Sequence, residues 1–222
     1  MSLFIFKDNC LKFMGSKFFV PNAEFTTMGC YGEKADPIGK PGKLEVKDHL
    51  PVAKISSKIK VLPPILLDSA SSSRGDFTSQ VSGSLKVVNF SGSLGATYDG
   101  MSAQKLKLVQ LFMEENDVKD AANNSPKALD NLDAYGGDAR IVYCLFVIGE
   151  ASWTDSFTAG SSFSASADAA GIIAIKASGG GSVSGKNTLV LSPGMPLAYG
   201  MLKLDWKDKK IKNTHVDEVG MY

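Results

Sequence analysis

The sequence predicts an α+β fold rich in antiparallel strands, and three observations carry that expectation. Two long stretches, 77–98 and 149–175, alternate apolar and polar residues at the strand period of two, so each has a greasy and a wet face. The run RIVYCLFVI, starting at Arg140, is apolar on both faces, which is the pattern of a strand buried in the middle of a domain. The 22 glycines and abundant serine favour strands, turns and bends.

A chain of 222 residues suffices for one large domain or two small ones and can bury a substantial core. Net charge is +1 but uneven: residues 1–60 carry +4, 61–202 carry −4 and 203–222 carry +1. The amino-terminal portion therefore suits an anionic surface. No run reaches the length of a membrane-spanning helix, and the start lacks a secretory signal pattern, so a soluble cytosolic chain is expected. Cys10, Cys30 and Cys144 show no CxxC or metal-finger spacing, and reduced thiols are the default expectation.

Taken in order, residues 2–14 read as a short helix, with Leu3, Phe6, Cys10, Leu11, Phe13 and Met14 on its apolar side and Lys7, Asp8 and Lys12 opposite. Such a basic, aromatic-bearing helix also suits a membrane surface. Residues 17–62 alternate apolar runs with turns, Pro37 and Pro41 forbidding regular structure between them. Pro63-Pro64 then precedes the first amphipathic stretch.

In that stretch Phe77, Val81, Leu85 and Val87 share one parity, and after Asn89 the parity reverses to Phe90, Leu94 and Tyr98. A two-residue turn at Val88-Asn89 requires that flip, placing Val87 opposite Phe90 on the greasy face of a hairpin. Its arms approach the roughly 9–11 residues with which a tilted strand crosses a bilayer.

Residues 102–118 read as a second helix, capped by Ser102 and carrying Leu106, Val109, Leu111, Phe112 and Met113 on one side. The run KDAANN reads as a loop, and 125–133 as a third helix starting at Ser125-Pro126. The buried strand from 139 runs into the second stretch, where Ala151, Trp153 and Phe157 alternate with polar residues. After the five-residue loop Thr158–Ser162, the face continues through Phe163, Ala165, Ala167, Ala169, Ile173 and Ile175 with no parity change, as an odd loop requires. NTLVLS and PLAYGMLKLDW read as two further strands about a Pro193-Gly194 turn, and 207–222 as a short charged tail.

Catalytic chemistry is not evident. Gly180 to Asn187 spells G-x-x-x-x-G-K-N, which lacks the hydroxyl that holds magnesium and is followed by a β-like run rather than a helix. His49 and His215 are the only histidines, and neither adjoins a nucleophile or a second ligand. Lysines and aromatics form no stripe suited to nucleic acid. The expectation is a non-enzyme without cofactor, metal or nucleic-acid partner.

Several segments, in their order, resemble the pore-forming amino-terminal domain of the gasdermins: LFIFKDNCLKFM and FFVP, VLPPILLDS, GGDARIVYCLFVIGEASWTDS, and above all NTLVLSPGMPLAYGMLKLDW over 187–206. The resemblance spans roughly 3–206 and implies a twisted, mainly antiparallel sheet flanked by helices. It also implies a domain over 1–206 that binds acidic lipid, assembles into a ring and inserts two β-hairpins per subunit, causing lytic cell death as in antiphage defence. Phe77, Val81, Leu85, Val87, Phe90, Leu94, Trp153, Phe157, Phe163, Ala165, Ile173 and Ile175 would then be the membrane-inserting residues, with Lys86, Asp168 and Lys176 facing the lumen. Lys7, Lys12 and Lys17 would bind anionic headgroups.

Unlike the familiar animal members, the sequence leaves no room for a repressor domain after 206, as in bacterial or early-branching members. Restraint would fall to the tail 207–222 until a protease removes it, or to a disulfide-linked inactive dimer through Cys10 or Cys30 rather than Cys144. Cys10 also matches the position of an acylated cysteine. The chain would be cytoplasmic when inactive and at the cell membrane when active. A soluble β-rich binding or scaffold protein is the alternative reading.

Overall fold

The computed structural model describes residues 3–7, 10–38, 42–62, 65–67, 107–149, 162–167, 173–178, 188–191 and 196–219. The first amphipathic stretch, 77–98, and the segment 150–161 with Trp153 and Phe157 lie outside the described residues.

The chain opens as a strand meander where a helix was expected. β1 (Leu3–Lys7) pairs antiparallel with β2 (Cys10–Phe13), and β2 with β3 (Ser16–Phe19). Phe4, Leu11, Phe13 and Phe18 are buried, and Phe4 faces Phe13 while Leu11 faces Phe18 across the strands. The apolar residues thus obey period two. What cuts the supposed helix is a pair of two-residue links, Asp8-Asn9 and Met14-Gly15, both of turn-forming composition. Met14 and Gly15 have φ of 49° and 84°, the positive values of a primed hairpin turn.

β4 (Cys30–Ala35) pairs antiparallel with β5 (Lys43–His49), with a bulge at Tyr31/Gly32. Gly32 is required there: a Cβ would stand 1.9 Å from the Glu45 carbonyl oxygen. After the short helix α1 (Val52–Ile55), β6 (Lys60–Val61) and β7 (Ile65–Leu67) lie in turn along β8 (Lys107–Phe112). In the sequence, Pro63-Pro64 separates these two strands.

β8 corrects the expected helix over 102–118. Leu108, Val109 and Leu111 are all fully buried, on both faces of a strand flanked by neighbours on either side, so no polar face remains to reveal a period. Helix begins only at Glu115: α2 (Glu115–Asn123) takes in most of the KDAANN expected as a loop, its Val118, Ala121 and Ala122 turned into the core. α3 (Pro126–Tyr135) falls close to the expected third helix, with Pro at its first turn.

β9 (Ala139–Gly149) is the buried central strand that its apolar run predicts. One side carries β4 and then β8, and the other carries β13 (Pro196–Lys207). Between β9 and β13 the chain forms a separate antiparallel sheet of β10 (Ser162–Ala167), β11 (Ile173–Ser178) and β12 (Thr188–Leu191), its β10 beside β6 and the turn Ser56–Lys58. β14 (Lys210–Asp217) returns along β13 through Asp208-Lys209, both at positive φ.

β13 also meets β3 at Tyr199↔Phe19, so the path β13–β3–β2–β1–β7–β8–β9 returns to β13 and the mostly antiparallel sheet closes on itself. Phe4, Leu11, Phe13, Phe18, Val20, Ile65, Leu108, Cys144, Phe146 and Leu197 form the cluster inside this curl. Phe13 and Phe18 meet Phe146 edge-on at centroid distances of 5.9 and 4.6 Å. The larger core lies outside the curl, between β4, β8, β9, β13 and the helices. The architecture is α+β: a curled antiparallel sheet with few, short helices.

Two polar devices tie the tail and the outer loop to this frame. The Tyr199 hydroxyl donates to the Pro21 carbonyl at 2.9 Å and accepts from the Leu44 N–H at 2.8 Å, and burial pushes its pKa up. Asp217, at the end of β14, accepts from Arg140 Nε at 2.6 Å and faces Lys34 Nζ at 3.4 Å. Arg140 also donates to the carbonyls of Gly137 and Ala139, leaving a buried guanidinium well satisfied.

Candidate functional site

The register places four strand ends together. Leu66 pairs with Lys107, Lys107 with Gly149, and Val147 with Pro196, so the end of β7, the start of β8, the end of β9 and the start of β13 lie at one end of the sheet. The links 68–106 and 150–195 therefore both depart from and return to neighbouring antiparallel strands at that end. β1 runs parallel to β7, which brings Lys7 to the same end.

The three lysines singled out from sequence share one face of the meander. Lys7 is opposite Cys10, Lys12 is opposite both Ile5 and Lys17, and Cys10 is opposite Phe19, so Lys7, Lys12 and Lys17 have the same parity. They stand on strands rather than on a helix, on the face away from the Phe13–Phe18–Phe146 cluster.

For the second amphipathic stretch, the backbone revises the expected fold-back. Residues 163–175 were expected as one arm after a loop at 158–162, yet the chain reverses between Ala167 and Ile173: Phe163 pairs with Ala177, Ala165 with Ile175 and Ala167 with Ile173. Asp168 and Gly171, both turn formers, lie in that interval. Phe163, Ala165, Ile173 and Ile175 still occupy one face of adjacent antiparallel strands, joined there by Leu189 and Leu191 of β12. The opposite face takes Ser162, Ser164, Ser166, Lys176, Ser178 and Thr188, with Ala174 and Val190 among them.

All three thiols are buried. Cys10 Sγ donates to the Lys7 carbonyl at 3.2 Å, Cys30 accepts from the Thr27 N–H at 3.4 Å, and Cys144 accepts from Gln110 Nε2 at 3.3 Å inside the curl. Desolvation pushes the Cys30 and Cys144 thiols up to about 12, so neither is a thiolate near neutral pH. His49 faces the Leu50 carbonyl, and His215 pairs with Asp205 at 2.7 Å on the surface. Among the described residues, no cluster of His, Cys, Asp and Glu could hold a metal ion.

Sequence reasoning missed the meander, the aromatic cluster on Phe146 and the Arg140–Asp217 pair. Only the first left a local signal, the short spacing of Asp8-Asn9 and Met14-Gly15. Comparison with protein-family models, characterised proteins and solved structures returns no match.

Proposed function

We propose that this protein permeabilises membranes: it binds acidic lipid through Lys7, Lys12 and Lys17, oligomerises, and inserts the stretches 77–98 and 149–175 of the two links as amphipathic β-hairpins, causing lytic cell death as its resemblance to the gasdermins implies. One observation supports this most. Both links root on the four neighbouring strands β7, β8, β9 and β13 at one end of the sheet, so each inserted hairpin would prolong an existing antiparallel pair, β12 giving up its pairing with β11 on the way. The one-sided apolar register of β10 and β11 is of the kind that lipid accepts.

Restraint falls more naturally to the tail than to a disulfide between subunits. Every thiol is buried, whereas the Lys207–Lys210 turn is exposed and open to a protease. Cutting there would leave β14 held by side chains and ladder bonds alone.

Vesicles containing acidic lipid and loaded with dye should leak on addition of the protein cut at that turn, more than with the intact chain. Ile173→Asp should abolish leakage while leaving the urea midpoint of the soluble form unchanged, since a charge on a lipid-facing strand costs about 2–4 kcal/mol near the bilayer midplane. Intact vesicles under both conditions would leave the soluble β-rich binding or scaffold reading in its place.

A further inference from the structure

The closed sheet has seams of very different strength. β8 and β9 pair over their shared length from Lys107↔Gly149 to Phe112↔Cys144, and β9 and β13 pair from Val147↔Pro196 to Arg140↔Lys203. β3 and β13, by contrast, meet only at Tyr199↔Phe19, although both strands are fully described. The far side of the meander joins β7 through a parallel pairing, Leu3↔Leu66 and Phe4↔Leu67, the less stable kind of ladder. Side chains rather than backbone hold the meander in place, with Phe13 and Phe18 on Phe146 and Phe19 stacked on Tyr199 at 5.8 Å.

The connection from the meander to β4 is largely without regular structure and is held to the frame at Pro21 by the Tyr199 hydroxyl, a bond that the same residue of a second copy can make. It runs from Val20 through Pro21, holds Asn22 at φ 64° and Gly29 at φ 74°, and contains one short 3-10 turn, Ala23–Phe25. Asn22 tolerates the left-handed region, and its side chain donates to the Leu44 carbonyl at 3.3 Å.

We propose that the β1–β2–β3 meander exchanges between subunits, so that in the assembled protein each meander fills the gap between β7 and β13 of a neighbouring copy. This inference rests on the membrane-permeabilising reading. Exchange keeps the Phe13, Phe18 and Phe19 packing, because the neighbour offers the same Phe146 and Tyr199, and the main cost is association itself. The edges of β3 and β13 are unlike yet complementary, so exchange passed on from copy to copy is head-to-tail, the kind of contact that closes into rings. The partner surface is a second copy of this chain.

The test is a cysteine staple, Leu3→Cys with Leu66→Cys, in protein cut at the Lys207–Lys210 turn and oxidised either in solution or after incubation with vesicles containing phosphatidylglycerol, then run on non-reducing gels. Oxidation in solution should give a monomer, and oxidation on vesicles a ladder of disulfide-linked multimers; protein oxidised beforehand should lose at least tenfold in leakage, restored by reductant. The wild-type chain, with its three buried thiols, is the blank. The reduced variant should keep the wild-type urea midpoint, which checks that the two cysteines leave the fold intact. Leakage accompanied by a monomeric disulfide at the Leu3↔Leu66 seam would overturn the exchange and leave the permeabilising reading standing. Absence of both leakage and multimers would overturn that reading, and the exchange with it.

Discussion

Asp217 shows how much a single carboxylate can hold at the residue scale. Its side chain is 12 % exposed and that of Arg140 7 %, so the pair is largely out of water, and Lys34 adds a second cation. Removing one member of a buried pair leaves the other unpaired, which is why Asp217→Ala should cost about 3 kcal/mol in urea unfolding and Asp217→Asn less. The thiols give a pH dependence of definite sign. Cys30 and Cys144 keep their protons in the folded state up to about 12, whereas the unfolded chain releases them near the ordinary thiol value of 9.0. Stability from these groups is thus complete below pH 9 and is lost as pH rises towards 12. Thermal unfolding followed from pH 8 to 11 should show a falling midpoint, and iodoacetamide should label neither residue in folded protein at pH 8. The burial of Cys144 was legible in RIVYCLFVI, whereas the partner of Asp217 lies 77 residues away and no local pattern announces it.

Among the elements, the sequence was most readable where hydrophobicity ran long, as in β9, β12 and β13, and where a helix had a proline start, as in α3. It misled where strands were short or fully buried. β1 and β2 are five and four residues, too short for period two to stand out from a helical pattern, and β8 is apolar on both sides. β10 and β11 kept the expected face but not the expected partner, because two loops of odd length preserve parity equally well. Within the meander, Lys12 opposite Lys17 invites a change with opposite effects on two measurements. Lys17→Glu should raise stability in water by roughly 0.2–1 kcal/mol through an opposite-charge cross-strand pair. The same change should weaken sedimentation with acidic vesicles severalfold, since each lysine near such a surface is worth about 1 kcal/mol. Vesicle binding unaltered by Lys17→Glu would remove this face from the lipid contact.

For the molecule as a whole, an α+β character was legible but the closure was not. Composition and patterning name strands; they do not say that β13 will sit between β9 and β3, a pairing set by packing around Phe146 and Tyr199. The common root of the two long links was likewise invisible, since it depends on which strands become neighbours. That same arrangement bears on how the chain is made. β13 is translated well after β3 and β9, so a growing polypeptide holds Phe13, Phe18 and Phe146 in an unfinished curl until Tyr199 emerges. Long-range pairings of this sort form slowly and leave apolar edges uncovered meanwhile. The nascent chain is accordingly the stage at which chaperones have most to shield.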